Sequence, residues 1–255
     1  MNESRLEQRI RAAMAKGRKA LIPFLPAGYP DLERFWDELA ALDAGGADII
    51  EIGVPFSDPV ADGPVVERAS LHCLELGVSL AWIIAELKKR RASIGAEIVL
   101  MGYMNPFLQY GFERLAADAA DAGVAGLIIP DLPYEEAMDV KRTLGARGID
   151  LVYLVGLNTE GERLAMYAAD AAGFAYFVSV LGTTGVRETL PEEITAKLAA
   201  AKKTFRVPLA LGFGIKTPEQ LAAYGDDLDA VVFGSALIRH IEEGGTAAEF
   251  MRRWA

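Results

Sequence analysis

Ala20-Leu21-Ile22-Pro23-Phe24-Leu25 is an almost unbroken apolar run, and so is Asp48-Ile49-Ile50-Glu51-Ile52. Between them, Leu32, Phe35, Trp36, Leu39 and Leu42 recur at helical spacing after Asp31, and Gly45-Gly46 ends the pattern. A continuous apolar run bounded by turns fits a parallel strand covered on both faces, so residues 20–52 read as strand, crossover helix, strand.

Outward from that unit the same alternation continues. The further runs are Ile98–Met101, Gly126–Ile129, Leu151–Val155, Ala175–Val180, Pro208–Leu211 and Ala230–Phe233, which makes eight in all. The intervening segments carry helix signals. Thr159 with Glu162 fits a capping box, and Thr217-Pro218-Glu219-Gln220 joins a cap, a first-turn proline and a box partner. Before the first run, Leu6, Ile10, Ala13 and Met14 make an extra amphipathic helix, expected to close the bottom of the sheet. Repeated strand–helix units leave an open doubly wound sheet or a closed barrel. Eight units in 255 residues favour the barrel, and no Gly-x-Gly-x-x-Gly follows the first strand. The expected fold is α/β, a (β/α)8 TIM barrel with an extra N-terminal helix, forming one domain over residues 1–255.

Composition narrows the function. The chain is 52% apolar and 24% charged, which allows a sizeable core. Its formal net charge of −10 disfavours nucleic acid as a partner. No apolar run is long enough to span a membrane, and the charged N-terminal residues do not form a signal peptide. Cys73 is the only cysteine, so no internal disulfide is possible, and a cytoplasmic location is expected.

In such a barrel the active site lies at the C-terminal ends of the strands. Glu51 is a carboxylate inside an apolar strand, so it must be paired, neutral or useful. A raised pKa would suit it to acid–base work, whereas a structural ion pair is the plainer reading. The loop beyond carries Asp58 and Asp62 among Pro55, Pro59 and Pro64. Either aspartate could be ordinary turn chemistry, but Glu51 and Asp62 could also face one pocket. Glycines at three late strand ends, Gly182-Thr183-Thr184-Gly185, Gly212-Phe213-Gly214 and Gly234-Ser235, suggest a phosphate cradle. His72 and His240 both fall in helical segments, so a histidine-ligated metal is not expected. No strand carries a lysine, which disfavours Schiff-base chemistry.

The stretch Glu51-Ile52-Gly53-Val54-Pro55-Phe56-Ser57-Asp58-Pro59-Val60-Ala61-Asp62-Gly63-Pro64 resembles the signature of the tryptophan synthase alpha chain family. The likeness extends to Phe24–Pro30, Met101–Pro106, Pro130–Pro133, Leu211–Ile215 and Gly234-Ser235-Ala236. It implies retro-aldol cleavage of indole-3-glycerol phosphate to indole and glyceraldehyde 3-phosphate. By motif, Glu51 would be the principal acid–base residue and Asp62 would hydrogen-bond the indole N–H. Phe24, Tyr103, Phe213 and Ile215 would line the indole pocket. Gly185, Gly214, Gly234 and Ser235 would bind phosphate, while Tyr176 and Thr184 would help order the site. The resemblance also implies a beta subunit as partner in a heterotetramer. Pyridoxal phosphate would belong to that partner, with no cofactor or metal in this chain. The contact surface would include Asp58, Pro59, Asn105, Phe107, Asp131 and Pro133. This sequence departs from the family's usual pattern at Thr183, where an apolar residue is common, and at Gly156-Leu157-Asn158. From the residues alone, another phosphate-binding barrel enzyme of the sugar-phosphate isomerase type, or a non-catalytic regulatory subunit, remains open.

Overall fold

The computed structural model describes residues 3–156, 158–178, 192–212, 215 and 217–254. Strands β1 (Ala20–Pro26), β2 (Ile49–Gly53), β3 (Glu97–Met101), β4 (Val124–Ile128), β5 (Asp150–Val152), β6 (Leu154–Gly156), β7 (Ala175–Val178), β8 (Leu209–Gly212) and β9 (Ala230–Phe233) form one sheet. Its order is β5-β4-β3-β2-β1-β9-β8-β7-β6, and every pairing is parallel. The two ends of that order, β5 and β6, are consecutive in the chain. The sheet therefore curls into a barrel of eight positions, as the alternation in the sequence implies.

The fifth run was expected as one strand and is split at Tyr153. On one side Gly126–Ile128 pairs with Asp150–Val152, and on the other Leu154–Gly156 pairs with Tyr176–Val178. The ladder changes partner at Tyr153, whose carbonyl accepts the Tyr176 N–H at 3.0 Å. Its ring packs with Tyr134 and Tyr167 at centroid distances of 5.6 and 5.3 Å.

Side chains alternate across the wall as the period of a strand demands. Ile22, Ile49, Val99, Ile128, Val152, Ala210, Ala230 and Val232 fill the interior. Residues between them, such as Leu21, Ile50, Leu100, Leu151 and Val231, pack in the larger core with the helices. With Ile49 pointing in, Glu51 two residues on points in as well, toward the C-terminal mouth.

Helix α1 (Arg5–Met14) plugs the opposite end. Leu6, Ile10 and Ala13 are buried in the interior cluster, while Met14 lies 37% exposed, outside the apolar face first assigned to it. Gly126 leaves room for this plug, because a Cβ there would stand 2.7 Å from Leu6 Cδ1. Arg5 donates to the Val124 carbonyl at 2.9 Å and Arg9 to the Asp48 carbonyl at 3.2 Å, satisfying acceptors at the starts of the strands.

The outer helices follow the apolar periodicity. Helix α2 (Arg34–Ala44) buries Phe35, Trp36, Leu39 and Leu42, is capped at its C-terminus by Gly45, and is followed by Gly46 at φ +92°. Asp31 Oδ1 accepts the Arg34 N–H at 2.9 Å, so it serves the orphan donors of the first turn. Two cap expectations diverge. At Thr217 the box forms, but it opens a 3-10 run, Pro218–Asp227, rather than an α-helix. At Thr159 it does not form: the hydroxyl accepts the Gly156 N–H at 3.2 Å instead, and the helix Gly161–Asp170 is preceded by Glu160 with no side-chain cap. A hydroxyl that can close a local turn competes with its own use as a cap. Among the described residues no single helix is long and apolar enough to cross a membrane.

Candidate active site

Glu51 is 1% exposed at the inner face of β2. Its strand neighbours in register are Phe24 on β1 and Val99 on β3. Among the described residues no partner bonds Oε2, and no cation faces the carboxyl. Burial first, and the nearby Asp62 second, push its pKa up to about 8. The structural ion pair considered for this residue is absent among the described residues, and burial favours the neutral carboxyl.

Asp62 arrives from the loop between β2 and helix α3 (Pro64–Glu75). Tyr103, just after β3, holds it from across the mouth. The Tyr103 hydroxyl donates to Asp62 Oδ2 at 3.1 Å and accepts the Ala61 N–H at 3.0 Å. Burial raises the Asp62 pKa to about 6, the Tyr103 bond opposes that rise, and Glu67 adds to it. The Tyr103 hydroxyl is itself pushed well up by burial and by Asp62. Tyr176 completes the cluster from β7. Burial, then Glu51 and Asp62, hold its hydroxyl firmly protonated.

Three strand-end glycines make space here. A Cβ on Gly53 would stand 2.7 Å from Phe24 Cζ, and one on Gly234 would stand 2.7 Å from Phe24 Cδ1. The Phe24 ring therefore lies across the mouth between β2 and the turn after β9. At Gly212 any Cβ would overlap the Tyr176 ring. Gly212 was singled out for phosphate approach, and what the structure shows of it is the room it makes for Tyr176. Phe24, Gly53, Val54, Asp62, Met101 and Tyr103 line one cleft at the mouth.

Gly234 precedes the helix Ser235–Glu242 and, having no side chain, gives no cap bond to the N–H groups of its first turn. Ile215 is buried. Thr184, Gly185, Phe213 and Gly214 lie outside the described residues, as do Thr183 and Leu157. Among the described residues no three His, Cys, Asp or Glu side chains cluster as a metal site.

The expected contact face lies on the same rim. Asp58, Asn105, Asp131 and Pro133 are exposed, and Pro59 is half-buried. Phe107 differs: it is fully buried beneath Gly102, where a Cβ would meet its ring at 3.0 Å, so it shapes this face from below and presents no surface. Asp131 also accepts the Met104 N–H at 2.8 Å, capping the helix Met104–Tyr110. Val60 and Leu108, on the second and third loop–helix units, are 84% and 59% exposed.

A closed parallel barrel with a buried glutamic acid and a second carboxylate at the C-terminal mouth has the form of the barrel enzymes, whose active sites lie at that mouth. The tryptophan synthase alpha chain profile matches residues 10–253. The chain is 67% identical over 254 residues to a tryptophan synthase alpha chain from Solidesulfovibrio magneticus, covering 100% of this chain and 99% of that one. It is 62% identical to the one from Nitratidesulfovibrio vulgaris strain DP4 over 255 residues, covering 100% and 99%. Among solved structures, Mycobacterium tuberculosis tryptophan synthase in space group F222 superposes with a TM-score of 0.89 at 34% identity, covering 98% of each chain. The alpha chain from Legionella pneumophila superposes with a TM-score of 0.86 at 32% identity, covering 98% of this chain and 94% of that one.

This chain belongs to the tryptophan synthase alpha chain family. It is a lyase of the alpha reaction, cleaving indole-3-glycerol phosphate to indole and glyceraldehyde 3-phosphate. Membership favours neither an isomerase nor a non-catalytic regulatory subunit.

Proposed function

We propose that Glu51 carries the proton traffic of the cleavage and that Asp62 steadies the charge. A single observation supports this division: one mouth holds a carboxyl neutral up to about pH 8 beside one that ionises near pH 6. Neutral Glu51 gives its proton to C3 of the indole ring, which turns the ring into a leaving group. The Asp62 carboxylate accepts a hydrogen bond from the indole N–H and offsets the positive charge that builds there. As the C3–C3′ bond breaks, the Glu51 carboxylate takes the proton of the glycerol 3′-hydroxyl and is neutral again. The ring gains one proton, the hydroxyl loses one, and no external acid is consumed.

Phe24, Tyr103, Phe213 and Ile215 would line the indole pocket. The N-terminus of the helix Ser235–Glu242, at Gly234 and Ser235, with Gly185 and Gly214, would bind the phosphate. Tyr176 and Thr184 would order the site. The rim bearing Asp58, Pro59, Asn105, Asp131 and Pro133 would receive a beta subunit, which carries pyridoxal phosphate, in a cytoplasmic heterotetramer. The chain would act as one domain without a cofactor of its own.

The pH dependence tests the acid–base assignment. The reactive form has Asp62 ionised and Glu51 protonated, so kcat/KM should rise through about pH 6 and fall through about pH 8. A rate still climbing above pH 9 would show that the neutral acid is not needed.

A further inference from the structure

We infer that Ser70 is a positioning residue for the cleavage: its hydroxyl fixes Phe56, and through Phe56 and Tyr103 it sets the place of the Asp62 carboxylate. This rests on the role proposed above for Asp62.

Ser70 is 6% exposed on α3, and it lines the same cleft as Asp62 and Phe24. It binds both main-chain groups of one loop residue. The Phe56 N–H donates to Ser70 Oγ at 2.9 Å, and the hydroxyl donates to the Phe56 carbonyl at 3.2 Å. The loop has just left the sheet, where the Val54 N–H still donates to the Met101 carbonyl at 2.7 Å. One hydroxyl thus replaces the two bonds that a neighbouring strand would have made.

The contact continues toward the chemistry. The Phe56 ring stacks on Tyr103 with centroids 5.4 Å apart and planes 28° apart. Tyr103 in turn holds Ala61 and Asp62 at the far end of the loop. The loop is pinned near each end by one hydroxyl, with Pro55, Pro59 and Pro64 stiffening what lies between. Removing the Ser70 hydroxyl strips the Phe56 peptide groups of their partner. They can regain one only by turning toward water, which takes the ring off Tyr103. The stacked wall behind Tyr103 goes with it, and the Asp62 carboxylate loses its fixed direction.

Steady-state cleavage of indole-3-glycerol phosphate by Ser70→Ala, Asp62→Asn and the double variant tests this. Ser70→Ala is expected to lower kcat about tenfold or more, with KM changed less, because a small misplacement of an acting group is costly. Ser70→Thr, which keeps the hydroxyl, should recover most of the loss. In the Asp62→Asn background the same Ser70→Ala change should cost no more than about twofold, since its effect runs through that carboxylate. Phe56→Leu leaves the hydroxyl intact and should show the same dependence on Asp62, so the relay stays testable even if Ser70→Ala folds poorly. Equal losses in both backgrounds, with Asp62→Asn itself impaired, would overturn the role of Ser70 alone. An Asp62→Asn chain that cleaves like wild type would instead overturn the assignment of Asp62.

Discussion

Glu51→Gln is expected to lower kcat for indole release by roughly a thousandfold or more while the chain stays folded. Glutamine has nearly the same shape as the neutral carboxyl that occupies the inner face of β2 at pH 7. Oε2 has no partner among the described residues, so the exchange breaks no bond there. What is lost is the one proton that the site can deliver to the ring and take back from the 3′-hydroxyl.

Stability should move the other way. The folded pKa of Glu51, about 8, lies above its ordinary value of 4.5, so the folded chain holds this proton more tightly than the unfolded chain. Wild type therefore loses stability as pH rises from about 4.5 to about 8, and the full penalty persists above that. Glutamine cannot ionise. The variant should melt at the same temperature as wild type near pH 5 and at a higher temperature near pH 9. Scanning calorimetry at the two pH values checks this alongside the assay. A variant that is inactive because it is unfolded would leave the catalytic role unsupported.

Asp62→Asn should cost roughly a hundredfold or more in kcat, because an amide supplies no negative charge to the developing indolenium ion. Asparagine can still accept the Tyr103 hydroxyl bond, so the loop need not move. The change has a second signature. Part of what raises the Glu51 pKa is the Asp62 charge, the larger part being burial. With that charge gone, the alkaline limb of the pH–rate profile should shift to lower pH, and the limb near pH 6 that belongs to Asp62 should disappear. Loss of rate with both limbs unmoved would mean that Asp62 acts at a distance from Glu51.

That Glu51 is a carboxylate inside a buried strand was legible from the apolar run around it, but which face it takes was not, because Ile49 and Ile50 on opposite faces are both buried. A period of two puts Glu51 on the face of Ile49, and only the interior cluster that contains Ile49 shows that this face points in. The eight-fold alternation and the plug formed by Leu6, Ile10 and Ala13 could be read because each is a local apolar pattern. What stayed hidden depends on contacts between distant residues. The split at Tyr153 arises because the two sides of one run pair with different strands. Gly212 makes room for a tyrosine on another strand, and Tyr103 holds a carboxylate 41 positions away. Neither pairing leaves a trace in spacing. Asp62 itself was indistinguishable from a turn aspartate until the whole Glu51–Pro64 stretch was set beside its family. Phe107 looked like a contact residue by motif, but its burial follows from the packing under Gly102, which a linear reading does not show.

The most direct test is a titration of the Glu51 side chain, followed as a carboxyl carbon resonance in chain labelled with carbon-13 glutamate and assigned by its absence from Glu51→Gln. The account predicts a carboxyl still protonated at pH 7 that ionises near pH 8, after Asp62 has lost its proton near pH 6. A Glu51 resonance already that of a carboxylate at pH 5 would contradict it, since an ionised glutamate has no proton to give the ring.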